Sequence, residues 1–435
     1  MKSITFIFVI LFSFINLSAR QVIEITQGLV KPEPISLTKT YAPHSSFTAE
    51  KIDEIIAQDL KSSGIFDLMD PNSFMQTAQN LLESVRYSDW RPTKTRFLYF
   101  STLSKESGKI TIKFELHDVI RGEKMISYTL SADEGKWRRI SHMIADAIYN
   151  AVTGEAGFFN TQVAFVEPTT KKGRNLNTCI KIMDSDGDPD SIVKLTDGNS
   201  LVLTPRYAHD GKTIVYVRID KSTGEVYIAD RTTKVSKLMG KYKGLNFAPR
   251  YAPDSKRIIF SISKGTSTAI YEQDLFSKNL KQLTAHQGID TSPGYSPDGQ
   301  KIVFVSDRTG RPKLYTMDCD GSNQECITAG AGTYTQPCWS PRGDLIAFNL
   351  QKGGQFYIGI MRPDGSDQRL IATGYLVEDP IWTSNGRYLF FTLQSSLKSK
   401  QQIMRVDITG KHQYILKTPN EAFGASLSPL LGKIG

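Results

Sequence analysis

Side chains that carry chemistry are scarce in this sequence. Only 4 cysteines and 6 histidines are spread over 435 residues. That is too little cysteine for a disulfide scaffold at this length. No Cys-x-x-Cys pair supports a structural zinc site. None of His44, His117, His142, His209, His286 and His412 begins a His-Glu-x-x-His motif. There is no Gly-x-Ser-x-Gly nucleophile elbow and no Gly-x-x-x-x-Gly-Lys-Ser/Thr phosphate loop. Long apolar runs are absent but for one near the start, which excludes a polytopic membrane protein. The net charge of +9 is spread thinly, and the tightest basic cluster, Lys171, Lys172 and Arg174, reads as a solvated insertion. Such a distribution does not argue for a nucleic-acid partner.

The one apolar run extends from Ile4 to Leu17, 14 residues behind Lys2. A membrane-spanning helix needs about 20. A basic start, a short apolar centre and Leu17-Ser18-Ala19 read as an export signal cleaved after Ala19. The first cysteine is Cys179, so no lipid acceptor follows the run. An oxidising compartment would permit a disulfide. Cys319 and Cys326 flank the turn-like Asp320-Gly321-Ser322-Asn323 and could face each other across a hairpin. Four small packed thiols remain the simpler reading.

What the sequence has in abundance is repetition. Pro205-Arg206-Tyr207-Ala208-His209-Asp210-Gly211 returns at Pro249, Pro293, Pro337 and Pro380, with a degenerate copy at Ala425-Ser426-Leu427-Ser428-Pro429. The spacings are 44, 44, 44, 43 and 45 residues. Each of the first five copies leads into a β-prone run such as Ile302-Val303-Phe304-Val305, and polar turns divide the rest of the unit into further strands. Four strands per unit of this length make the blade of a β-propeller. The sixth copy has almost no chain after it, whereas Gln162-Val163-Ala164-Phe165-Val166 is a second strand with no copy before it. The two defects are complementary, so the C-terminal strand is expected to close a ring of six blades over residues 158–435. Closure removes the open sheet edges that invite aggregation. The Tyr or Trp of each copy reads as core, and the Asp-Gly pairs as turns.

Residues 35–157 lack the repeat and read as a small α+β domain. Ser46 or Thr48 could cap a helix carrying Ile52, Ile55, Ile56 and Leu60, with Gly64 as its stop. A second helix carries Ile140, Met143, Ile144, Ala147, Ile148 and Ala151, with Gly154 after it. Strand-like runs cover 97–102, 109–116 and 125–130, with turns at Ser107-Gly108 and Arg121-Gly122. Residues 20–34 form a mature N-terminal strand and linker. Its β-prone part holds Gln21, Val22, Ile23, Glu24 and Ile25, and Pro32 and Pro34 separate it from the domain. Such a strand can pair with its own domain or with a partner's sheet.

One acidic cluster invites a metal reading. Asp184, Asp186, Asp188 and Asp190 alternate around Gly187 and could gather oxygen ligands for calcium. Leu195 stands where an EF-hand has its last glutamate, and later blades carry plain Asp-Gly turns at this place. A hairpin turn is the favoured reading, and no cofactor is expected.

The signal, the α+β domain and the ring of Ser-Pro-Asp-Gly copies together resemble the TolB family of the bacterial Tol-Pal system. Ile55-Ile56-Ala57-Gln58-Asp59-Leu60-Lys61-Ser62-Ser63-Gly64-Ile65-Phe66 is similar to the family's first helix and its exit. Ala145-Asp146-Ala147-Ile148 through Gly154 to Val166 is similar to its domain junction, and Ser306-Asp307-Arg308-Thr309-Gly310-Arg311-Pro312 to its propeller. The resemblance implies a non-enzymatic, monomeric adaptor of the periplasm that supports outer-membrane integrity and envelope constriction at cell division. It implies that the propeller mouth binds the peptidoglycan-associated lipoprotein and that the mature N-terminal strand engages TolA. Other outer-membrane proteins could join them. Carried over by position, Ala248 and Thr291 are the lipoprotein-contacting residues, with Leu245 and Asn246 beside them. Blade symmetry adds Ser292, Gln336 and Asp379. The competing reading is a calcium-dependent propeller hydrolase or lyase. It needs converging carboxylates on the inner strands, where the copies offer Arg206, Arg250, Gly294, Cys338 and Ile381.

Overall fold

The structure, a computed structural model, describes residues 31–43, 46–172, 175–220 and 223–432. The export signal with Ala19, the segment holding Gln21, Val22, Ile23, Glu24 and Ile25, and Arg174 lie outside them.

The N-terminal unit is a five-stranded sheet with helices on both faces. Its strands are β1 (Glu33–Leu37), β2 (Phe66–Leu68), β3 (Phe97–Glu106), β4 (Lys109–Asp118) and β5 (Glu123–Asp133), in the order β2-β1-β3-β4-β5. Alternation along β3 sends Phe97, Tyr99 and Leu103 to one core and Leu98 and Phe100 to another. The first core is covered by α1 (Ser46–Ser62) and α4 (Trp137–Thr153), the two helices expected from their periodicity. The second is covered by the short α2 (Ala78–Glu83) and α3 (Tyr87–Trp90). Gly154, at φ +74°, ends α4 in the left-handed conformation that glycine adopts without a Cβ clash.

The expected linker is corrected here. Glu33 and Pro34 belong to β1, which lies inside the sheet, parallel to both β2 and β3. Proline is tolerated because pairing with β3 begins only at Ile35 opposite Phe97. The N–H that Pro34 lacks is therefore not missed by the ladder, while its carbonyl accepts from the Arg96 N–H at 3.0 Å.

The rest of the chain is a ring of six four-stranded antiparallel sheets. Blade one contains β6 (Gln162–Lys172), β7 (Asn175–Asp184) and β8 (Val193–Lys194), and its inner strand is the C-terminal Phe423–Leu427. The other inner strands are Leu201–Tyr207, Leu245–Tyr251, Asp290–Tyr295, Thr333–Trp339 and Leu376–Trp382. The Ser428 N–H donates to the Gln162 carbonyl at 2.8 Å, and the Gln162 N–H donates back to Ser428 Oγ at 2.8 Å. The repeated aromatics are packed between blades and tie them together. Tyr251 Oη shares a 2.8 Å hydrogen bond with Thr213, and Trp382 Nε1 donates to the Cys338 carbonyl at 3.0 Å. Serine replaces glycine in the second copy, and Ser255 takes the same left-handed backbone, φ +56°. The four cysteines are free thiols: Cys179 is buried and Cys326 exposed, so the Cys319–Cys326 pairing is not formed.

The two units share an extensive junction. Arg387 clasps the Glu155 carboxylate, and Arg342 adds a weaker contact at 3.4 Å. Tyr388, which belongs to the N-terminal unit's core cluster, donates to the Ser63 carbonyl at 2.7 Å. Arg405 donates to the Ser62 carbonyl at 2.6 Å while lying over the rings of Phe158, Tyr388 and Tyr414. One turn earlier in α1, His142 Nδ1 lies 2.6 Å from Asp59 Oδ2, with Asp186 of blade one 3.9 Å from its Nε2.

Two expected outcomes follow from this architecture. Deleting residues 424–435 removes the inner strand of blade one and bares the β6 edge. A loss of about 3 kcal/mol or more lowers the melting temperature by about 3 °C or more at this chain length. An unchanged melting temperature contradicts the closure. At the junction, burial alone would push the His142 imidazole down, but Asp59, and then Asp186 and Asp184, hold it at about 9 against an ordinary 6.5. A histidine raised in the folded state stabilises fully below its unfolded value and ceases to do so as pH rises through the folded one. Asp146, pushed up to about 7 by burial, adds a loss as pH rises over a lower range. Thermal melts should therefore show stability falling between about pH 6.5 and 9, and His142→Gln should flatten that limb. A limb of equal slope in the variant contradicts the assignment.

Candidate functional site

Each inner strand carries a bulge at the residue preceding the repeat; the next residue is proline in five blades and Ala425 in blade one. The register with the second strand shifts there in all six blades. The cause is backbone geometry. Thr204, Ala248, Ser292, Gln336 and Asp379 have φ between +50° and +55°, and Gly424 has +62°. A side chain with a Cβ rarely adopts this region, and the residue before proline is further restricted. A bulge on a strand whose next residue has no N–H to offer the ladder accommodates the strain. The strained positions recur at the blade period, so they form a ring around the channel. Non-glycine residues held at such φ/ψ concentrate at binding sites.

Ala248, Ser292, Gln336 and Asp379 line one cavity of about 230 Å³, together with Thr204, Arg206 and Arg250. This is one mouth of the channel. Its side chains are cross-braced between blades. Gln336 Oε1 accepts from Asn349 Nδ2 at 2.8 Å and from the Asp379 N–H at 3.0 Å. Asp379 Oδ1 accepts from Arg206 Nη2 at 3.0 Å. Beside it, burial first and then the Asp379 charge push the Glu378 carboxyl up to about 7. The opposite mouth, a cavity of about 360 Å³, is rimmed by the hairpin turns that follow the inner strands. The N-terminal unit packs on that turn side, where Asn385 Nδ2 donates to the Ala156 carbonyl at 3.1 Å. The strained mouth therefore faces away from the N-terminal unit.

Not every residue expected at the mouth lines its cavity. Asn246 is buried, and its Nδ2 is committed to the Gly224, Tyr242 and Gly244 carbonyls at 2.8, 3.3 and 3.3 Å. Its amide nitrogen holds the preceding loop, while its Oδ1 is buried without a hydrogen-bond partner. Leu245 is partly exposed beside that loop, outside the cavity lining. Thr291 also lies off the lining, with Oγ1 accepting from Ser261 at 3.5 Å. Thr204 and Gly424 were missed, although the same repeat arithmetic reaches them: one precedes Pro205 and the other precedes the degenerate copy.

The acidic cluster is an ion-paired seam. The Arg138 guanidinium, from α4, contacts Asp184 at 3.2 Å, Asp186 at 2.6 Å and also Asp188. Burial opposes its charge, but Asp186, Asp188 and Asp184 outweigh that and raise its pKa. Asp190 takes no part; its N–H donates to Asp188 Oδ1 at 3.0 Å in a tight turn. The calcium reading is thus replaced by a cation supplied by the chain itself. Among the described residues no cluster of His, Cys, Asp and Glu is arranged to hold a metal ion, and no helix is long and apolar enough to cross a membrane.

Comparison with known proteins bears on both units. Residues 149–431 match the family described as the TolB beta propeller domain, and residues 21–125 match the TolB amino-terminal domain. The chain is similar to the Tol-Pal system protein TolB of Paramagnetospirillum magneticum, 41% identical over 229 residues, which cover 52% of this chain and 50% of that protein. It is also similar to the Tol-Pal system protein TolB of Roseobacter denitrificans, 37% identical over 215 residues, 48% of each chain. The matched region thus spans about half the length of these curated relatives. The crystal structure of TolB from Acinetobacter baumannii shares the fold, with a TM-score of 0.83 at 24% identity over 92% of this chain and 97% of that one.

Proposed function

The chain belongs to the TolB family, and from that premise we propose that it is a periplasmic, non-enzymatic adaptor of the Tol-Pal envelope system. Its strained mouth docks the peptidoglycan-associated lipoprotein, and its mature N-terminal segment, residues 20–31, engages TolA. The observation that carries the reading is the ring of left-handed, pre-proline residues on the propeller face left bare by the N-terminal unit. A rigid concave rim of short side chains suits insertion of a loop from a folded partner. Its strain is held by blade-to-blade hydrogen bonds rather than by anything the partner must supply. Chemistry at the rim has little support. The inner-strand position after each proline presents Arg206, Arg250, Gly294, Cys338, Ile381 and Ser426, which is no set of calcium ligands and includes no activated nucleophile.

The two contacts lie on separate parts of the chain and should be separable by mutation. Ser292→Arg adds bulk and charge to the mouth without adding a β-branch at its positive φ. Calorimetry with the purified lipoprotein domain should show affinity weakened by about tenfold or more, or about 1.4 kcal/mol, at an unchanged melting temperature. Removing residues 20–31 should abolish capture of TolA and leave lipoprotein binding intact. Wild-type lipoprotein affinity in Ser292→Arg would contradict docking at the mouth.

A further inference from the structure

Two guanidiniums occupy the narrow part of the channel. Arg206 and Arg250 follow Pro205 and Pro249 on neighbouring inner strands, and both line the cavity on either side of them, about 360 and 230 Å³. Arg206 is 7% exposed and three contacts hold its two terminal nitrogens. Nη2 reaches Asp379 Oδ1 at 3.0 Å, and Nη1 reaches the carbonyls of Pro205 at 2.8 Å and Ala425 at 3.4 Å. Arg250 is half-buried, and no hydrogen bond or ion pair holds its guanidinium among the described residues. The two charges feel each other: burial first, and then Arg250, push the Arg206 pKa down.

The surroundings leave the Arg250 charge uncompensated. In the next blade the equivalent position is Gly294, where a Cβ would lie 3.5 Å from Arg250 Cδ and 3.9 Å from Nε. The arginine stem therefore runs along bare backbone. The remaining equivalents, Cys338, Ile381 and Ser426, bring no acid. The larger cavity is lined by Arg206, His209 and Arg250 and by no Asp or Glu. The one carboxylate of the smaller cavity, Asp379, is already paired with Arg206. Two like charges in a channel walled by protein repel more strongly than in bulk water. A planar fork of N–H donors matches an oxyanion edge-on.

We propose that the channel is a binding site for one small oxyanion, of the phosphate or carboxylate class, held by Arg250 with Arg206 beside it. The site borders the mouth cavity of the docking reading, since Arg206 and Arg250 line it too, but it needs no partner protein to form. It also differs in sign from the calcium expected of a propeller hydrolase.

The test is calorimetry on the full mature chain, titrated with sodium phosphate and separately with sodium acetate, each against sodium chloride at matched ionic strength. Saturable binding of one phosphate or one acetate per chain is expected, and whichever saturates names the class. Arg250→Gln should weaken it about tenfold or more, one charge-assisted pair. Arg250→Lys should fall in between, and the exposed Lys352→Gln should bind as the parent does. In the unsubstituted protein, an arginine Nε–H resonance should shift along the same binding curve, which decides the matter should Arg250→Gln fail to fold. Binding of neither anion beyond the chloride control overturns the proposal. So does parental affinity in Arg250→Gln, or the absence of any arginine shift.

Discussion

The pairing of Phe423–Leu427 with β6 is the constraint on which the molecule rests. It joins the last strand of the chain to the first strand of the ring, and it is the only connection of blade one to an inner strand of its own. With that pairing in place, the six bulged residues stand in a circle and the channel has a fixed bore. Without it, blade one would present an open edge, and the Arg206 contact to the Ala425 carbonyl would be lost. The mouth is therefore a property of the closed ring and not of any one blade. Propeller blades are individually regular, but the site they surround exists only collectively.

A second constraint decides which end of the channel is available. Arg387, Tyr388, Arg405 and the Arg138–aspartate seam fasten the N-terminal unit to the turn side of the ring. These contacts combine buried aromatic area with guanidiniums whose donors are satisfied by backbone carbonyls or carboxylates. Breaking one partner of such a pair leaves a buried charge unpaired, which costs more than the pair contributes. The junction is thus specific in orientation, and the opposite mouth is left open to other molecules.

Much of this was legible in the sequence, and what was not has identifiable causes. The blade count followed from the 44-residue spacing and from two incomplete units that complement each other. Both helices of the N-terminal unit followed from periodicity, and Gly154 marked the end of one. The strand at Glu33 was hidden because parallel pairing is set by distant partners, Phe66 and Phe97, and because two prolines signalled a break. The role of Asn246 was hidden because the carbonyls that engage it become neighbours only when the two outer strands between Gly224 and Gly244 have folded back. Three of the four aspartates, Asp184, Asp186 and Asp188, do hold a cation; it is Arg138, 46 residues away from Asp184. The positive φ before each proline has no compositional signal, since Thr, Ala, Ser, Gln and Asp share nothing that requires it.

The central claim is that a protein partner docks on the strained mouth of a closed six-bladed ring. Hydrogen exchange of the full mature chain, with and without the peptidoglycan-associated lipoprotein, tests it most directly. Amides at 245–250, 290–294, 334–338 and 377–381 should become protected while the turn side, around 209–211, 297–299 and 384–387, is unchanged. Protection confined to the turn side, or to the N-terminal unit, would contradict it.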